Sequence, residues 1–79
     1  MALIKHNNIK RIEKDRNMVH TPVDATYTIF KDNSGEVYFQ IDTYGSSQRQ
    51  ILGKISQSIQ FDKSTAQELV KLLKEEFKI

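Results

Sequence analysis

A change of hydrophobic period near Phe61 constrains this chain more than any other feature. Before it, apolar residues alternate with polar ones, and after it they recur every three or four positions. Val23, Ala25, Tyr27 and Ile29 fall on one side of an extended segment, and Asp24, Thr26, Thr28 and Phe30 on the other. Residues 31–35, Lys-Asp-Asn-Ser-Gly, supply side chains that tolerate left-handed geometry, and from Glu36 to Tyr44 the alternation resumes with Val37, Phe39 and Ile41 on one face. That is a hairpin. A second polar connection, 45–50, leads through Ile51, Leu52 and Gly53 to a third strand with Ile55, Gln57, Ile59 and Phe61 on one side. The three segments form a meander.

The helical period follows. Asp62 or Ser64 can accept hydrogen bonds from free amides at a helix start, and Ser64 has Gln67 three residues on, in capping-box spacing. Ala66, Leu69, Val70, Leu73 and Phe77 form one apolar stripe that must be buried, leaving Lys71, Lys74, Glu75 and Lys78 outside. The strands offer the matching surface. The expected fold class is therefore α+β: a twisted antiparallel sheet of three to four strands packed against one C-terminal helix. Before Pro22, Ile4, Ile9 and Ile12 fit neither period, so residues 3–14 are an edge strand or a short helix, with strand favoured.

With 79 residues the chain makes one domain, since at this size only about 60% of the unfolded surface is buried on folding. It is expected to read as a basic N-terminal segment (1–22), antiparallel strands (23–61) and a helix (62–79). Small uncrosslinked domains often complete their cores with a partner subunit, so a homodimer is expected. No cysteine is present, which removes disulfides, thiolate metal sites and thiol nucleophiles and suits a reducing, cytoplasmic setting. No apolar run is long enough for a signal peptide or a membrane span, so no membrane partner is expected.

The formal net charge is +2, and its distribution says more than its sum. Lys5, Lys10, Arg11, Lys14 and Arg16 stand against only Glu13 and Asp15 in the first segment. Such an arm can meet a polyanion, although a solvated charged face is the commoner reason for it. The side of the sheet away from the helix should carry Thr26, Thr28, Phe30, Tyr38, Gln40, Asp42, Tyr44, Ser56, Ser58 and Gln60. Solvent exposure alone produces Thr, Ser and Gln on a wet face. The interleaving is what points further: Phe30, Tyr38 and Tyr44 offer flat surfaces for stacking bases, while Gln40, Ser56, Ser58 and Gln60 offer donors and acceptors for base edges. Arg49, Lys54, Lys31 and the N-terminal bases would then address phosphates.

Catalytic chemistry has little to draw on. His6 and His20 lie far apart with no acid at metal or triad spacing, so no metal or cofactor is expected. The serines have no partnered base and no Gly-x-Ser-x-Gly elbow, Gly45 and Gly53 do not make a phosphate loop, and Asp42 is the only acid on the proposed binding face. Asp42 is expected to hold Arg49 or a sheet hydroxyl. Glu68, Glu75 and Glu76 fall on the outer helix surface. The chain is expected not to be an enzyme.

The order of hairpin, polar loop, Gly53-Lys54-Ile55-Ser56 leading into a strand, Ile59 and Phe61 flanking its end, the cap Asp62 and an amphipathic terminal helix resembles the PC4-like transcriptional coactivator family, including its bacterial single-stranded DNA-binding members, over about residues 23–77. The resemblance implies a homodimer with a curved sheet that binds single-stranded nucleic acid, DNA rather than RNA, in transcription or replication. It places Lys54 beside the nucleic acid and Tyr38, Gln40 and Tyr44 on the binding sheet. This sheet is poorer in Lys and Arg than the family's usually is. The low charge keeps an alternative open: a protein- or small-ligand-binding regulator or inhibitor, from a mobile element for example.

Overall fold

The computed structural model describes residues 1–45 and 54–79. Four strands, β1 (Ala2–Ile4), β2 (Ala25–Lys31), β3 (Val37–Tyr44) and β4 (Ile55–Asp62), form one sheet in the order β1-β4-β3-β2. Among the described residues there is one α-helix, α1 (Lys63–Phe77), which follows β4 directly. The fold class is α+β, as the change of period requires. The expected meander is β2-β3-β4, antiparallel throughout. The sheet as a whole is mixed, because β1 joins the free edge of β4 in parallel, pairing Ala2 with Ile59 and Ile4 with Phe61. A three-residue helical turn at His6–Asn8 ends this short edge strand, so residues 3–14 are neither one strand nor one helix.

The β2–β3 turn is built by one side chain. Asp32 Oδ1 accepts from the amides of Ser34 (2.9 Å) and Glu36 (3.0 Å) and from the Ser34 hydroxyl, while Gly35 takes φ 88°, a left-handed conformation open to glycine. Those hydrogen bonds, led by the Ser34 hydroxyl, lower the Asp32 pKa below its ordinary value. Asp62 then stops the sheet and starts the helix, accepting from the Thr65 amide at 2.9 Å. Its pKa falls to about 2 because Thr65 bonds the charged form and Lys5 lies 3.3 Å away. Thr65, the most deeply buried side chain, donates to the carbonyl of Ile4 and so ties the first helical turn to β1.

Register puts Tyr27, Ile29, Phe39, Ile41, Ile59 and Phe61 on one face of the sheet. Tyr27, Phe39 and Phe61 stack in a row across β2, β3 and β4, with ring centroids 5.1 and 5.2 Å apart. Each such pair adds about 0.5–1.5 kcal/mol beyond burial. The helix begins at the end of this face, where Ile29, Val37, Phe39, Phe61 and Ala66 line an open groove of about 260 Å³.

The expectation that one chain buries the helical stripe is corrected. Only Ala66 and Leu69 are half-buried, while Val70, Leu73 and Phe77 are exposed. The cause is where α1 goes. It packs on β4 and on the turn at His6–Asn8, with Thr65 anchored to β1, and does not lie across β2 and β3. Among the described residues no apolar side chain is fully buried.

Candidate nucleic-acid interface

The other face of the sheet carries the polar constellation. Direct partners across the strands are Thr28 with Gln40, Phe30 with Tyr38, Gln40 with Gln60, and Asp42 with Ser58. A period of two in three neighbouring strands, held in register by the hairpin, gathers these side chains onto one surface. Successive same-face residues along β3 are roughly 7 Å apart.

A chain of hydrogen bonds runs across that surface. Gln60 Nε2 donates to Gln40 Oε1 at 2.7 Å, and Gln40 Nε2 donates to Asp42 Oδ1 at 2.8 Å. The Ser58 hydroxyl donates to the same carboxylate oxygen. Asp42 and Ser58 are the two most buried residues of the sheet, 6% and 7% exposed, and their polar atoms are satisfied by each other and by Gln40. The amide of Gln40 is thereby oriented, with its NH₂ towards Asp42 and its oxygen towards Gln60. Beside this line lies an open groove of about 380 Å³, floored by Gln40, Ser58 and Gln60 and walled by Met1, Ala2 and Leu3. Its size falls in the range of small-ligand sites.

At the turn end of the same face, Phe30 and Tyr38 stack with centroids 5.6 Å apart. The Tyr38 hydroxyl donates to Asp32 Oδ2 at 3.3 Å, and partial desolvation with the neighbouring Asp32 raises its pKa. At the opposite end, Tyr44 shares a hydrogen bond of 2.9 Å with Thr26 Oγ1.

The sequence-expected residues thus divide. Phe30, Tyr38, Gln40, Tyr44 and Ser58 come together on the polar face. Ser56 falls at a slip in register: Thr43 and Tyr44 pair with Gln57 and Ile55, and Ser56 is left without a cross-strand partner. Lys54 is exposed just before β4. Arg49, with the rest of the connection at 46–53, lies outside the described residues. Lys31 pairs with Val37 in register, which puts it on the apolar side and removes it from the expected phosphate contacts. Two N-terminal bases are already engaged, Lys5 with Asp62 and Arg11 with Glu13 and Glu76.

Of the two partners expected for Asp42, the sheet hydroxyl is found, on Ser58, while the line from Gln60 through Gln40 to Asp42 was not foreseen. The direct pairing of Asp42 with Ser58 and of Gln60 with Gln40 depends on strand register, to which the local pattern gives only parity. Among the described residues no three His, Asp or Glu side chains are grouped to hold a metal, and no helix is long and apolar enough to cross a membrane. No family model, curated protein or solved structure matches this chain.

Proposed function

We propose that the polar sheet face binds single-stranded nucleic acid, DNA in preference to RNA, and that the protein serves transcription or replication without catalysing a reaction. The observation that carries this reading is one continuous surface on which an aromatic pair, Phe30 and Tyr38, adjoins a line of oriented amides and hydroxyls beside an open groove. Stacking of a base on such rings is worth about 1–3 kcal/mol and tolerates every base. Gln40 and Gln60 supply groups that suit varied base edges. Lys54 and the basic segment before Pro22 supply charge for the phosphates. The preference for DNA, the homodimeric state and the cytoplasmic setting come from the resemblance to the PC4-like family and from the absence of cysteine.

One observation favours a second reading, a docking module for a protein or a small ligand. The centre of the face is a carboxylate, Asp42, and the ion pairs of Lys5 and Arg11 leave less positive charge for phosphates. Fluorescence anisotropy with single-stranded DNA, duplex DNA and single-stranded RNA across a salt series separates the two. The nucleic-acid reading expects a preference for single strands that weakens linearly in log affinity against log salt, and a loss of affinity in Lys54→Gln. Affinity that is absent, or indifferent to salt and to Lys54→Gln, overturns it in favour of the docking module.

A further inference from the structure

We infer that the groove between β1 and the amide line takes nucleobases that carry an exocyclic amino group, cytosine and adenine above thymine and uracil, and that Asp42 sets this preference from below the surface. The inference rests on the nucleic-acid reading above and adds a choice of base to it.

A free glutamine amide suits any base edge, because its two ends exchange by a half-turn. These two cannot turn. A carboxylate accepts and never donates, so Gln40 must present its NH₂ to Asp42 Oδ1, at 2.8 Å, and the Ser58 hydroxyl spends its hydrogen on the same oxygen. The Gln40 oxygen then faces Gln60, which must present its own NH₂ in turn, at 2.7 Å. Every bond in the line points towards the carboxylate. Asp42 and Ser58 are buried, so they hold that direction from inside the sheet, away from competing water.

The direction leaves a lopsided remainder. The Ser58 oxygen can now only accept, Gln60 keeps its carbonyl oxygen, and each amide has one hydrogen left. Lone pairs therefore outnumber hydrogens on the floor that Gln40, Ser58 and Gln60 make. Leu3 is the register partner of Gln60 and is 44% exposed, which gives the floor an apolar wall for a flat ring. Stacking on Phe30 and Tyr38 tolerates every base, so the choice falls to this groove. An amino group brings hydrogens to the acceptors. Thymine and uracil put a carbonyl oxygen where cytosine has its amino group, and there it meets lone pairs. A site built to accept is left unpaired by such a ligand and rejects it.

Cytosine and uracil share ring size and stack alike, so comparing them isolates the sign of the hydrogen bonds. The test is fluorescence anisotropy with oligo(dC) and oligo(dU) of equal length, at neutral pH and one salt concentration. Wild type is expected to bind oligo(dC) about tenfold more tightly. Asp42→Asn carries an amide that donates as well as accepts, so it frees Gln40 to turn and should bring the two affinities within about twofold. A purely structural role for Asp42 would lower both affinities together and leave their ratio intact. If Asp42→Asn does not fold, Gln60→Leu, which removes the accepting end of the line, should collapse the ratio in the same way. Equal, salt-sensitive affinities in the wild type, or a preference for oligo(dU), overturn this inference and leave the nucleic-acid reading standing. Binding to neither oligonucleotide overturns that reading and this inference with it. A ratio that persists in folded Asp42→Asn overturns the role given to Asp42.

Discussion

Asp42 on β3 and Ser58 on β4 stand directly opposite each other, and the Ser58 hydroxyl and the Gln40 amide both donate to the same oxygen of the Asp42 carboxylate. The most buried pair in the sheet is therefore polar and lies on the face expected to be wet. Removing one partner strands the others. Asp42→Ala should destabilise the protein by about 1–3 kcal/mol, and Ser58→Ala by less, since Gln40 still satisfies the carboxylate. Urea unfolding at fixed protein concentration reads both values. Asp42→Ala should also release the Gln40 amide.

The aromatic pair should govern affinity for single strands. Phe30→Ala and Tyr38→Ala should each weaken binding by about 1–3 kcal/mol, a loss of roughly 5- to 150-fold. Substituting Tyr27, which stacks on Phe39 on the opposite face, should leave the affinity per protomer unchanged as long as the protein stays folded. Anisotropy titrations beside circular dichroism distinguish the two outcomes.

Asp62 predicts the acid limb of stability. Its pKa in the folded state is about 2, below the ordinary carboxylate value, so ionisation favours the folded state. Its contribution is complete above about pH 4 and is lost as pH falls through about 2. Asp62→Asn keeps a capping oxygen but removes this dependence, so its thermal midpoint should change less between about pH 5 and about pH 2 than that of the wild type. Calorimetry at the two pH values checks the difference.

Two positive backbone angles make opposite predictions. Gly35 sits at φ 88° with nothing near the position of an added Cβ, so Gly35→Ala should cost about 1 kcal/mol through backbone strain alone. Lys78 ends α1 at φ 56°, a place glycine fills more readily, and Lys78→Gly should stabilise by about 0.5–1 kcal/mol. Chemical denaturation of both variants measures the pair.

What the chain's pattern made legible, and what it did not, follows from the range of each interaction. The faces of β2 and β3 were readable because side-chain direction in a strand has a period of two, and the hairpin because Asp32 and Gly35 act within five residues. The start of α1 was readable to within two residues, since Asp62 and Ser64 both offered caps, and Asp62 takes the role through the Thr65 amide three residues on. The parallel pairing of β1 was not, since it is held by contacts such as Thr65 to Ile4, 61 positions apart. The slip at Ser56 was hidden for the same reason, because an alternating pattern carries no mark of an extra residue. The course of α1 was misjudged because an amphipathic stripe specifies that something must cover it, and leaves open whether the cover belongs to the same chain.

Most directly, proton–nitrogen correlation spectra recorded while single-stranded DNA is added should report which face of the sheet meets it. The expected result is displacement of the side-chain amide signals of Gln40 and Gln60 and of backbone signals at Phe30 and Tyr38, with those of Val70 and Leu73 unmoved. Shifts confined to the helical stripe, or none at saturating oligonucleotide, would contradict a binding surface built from those amides and rings.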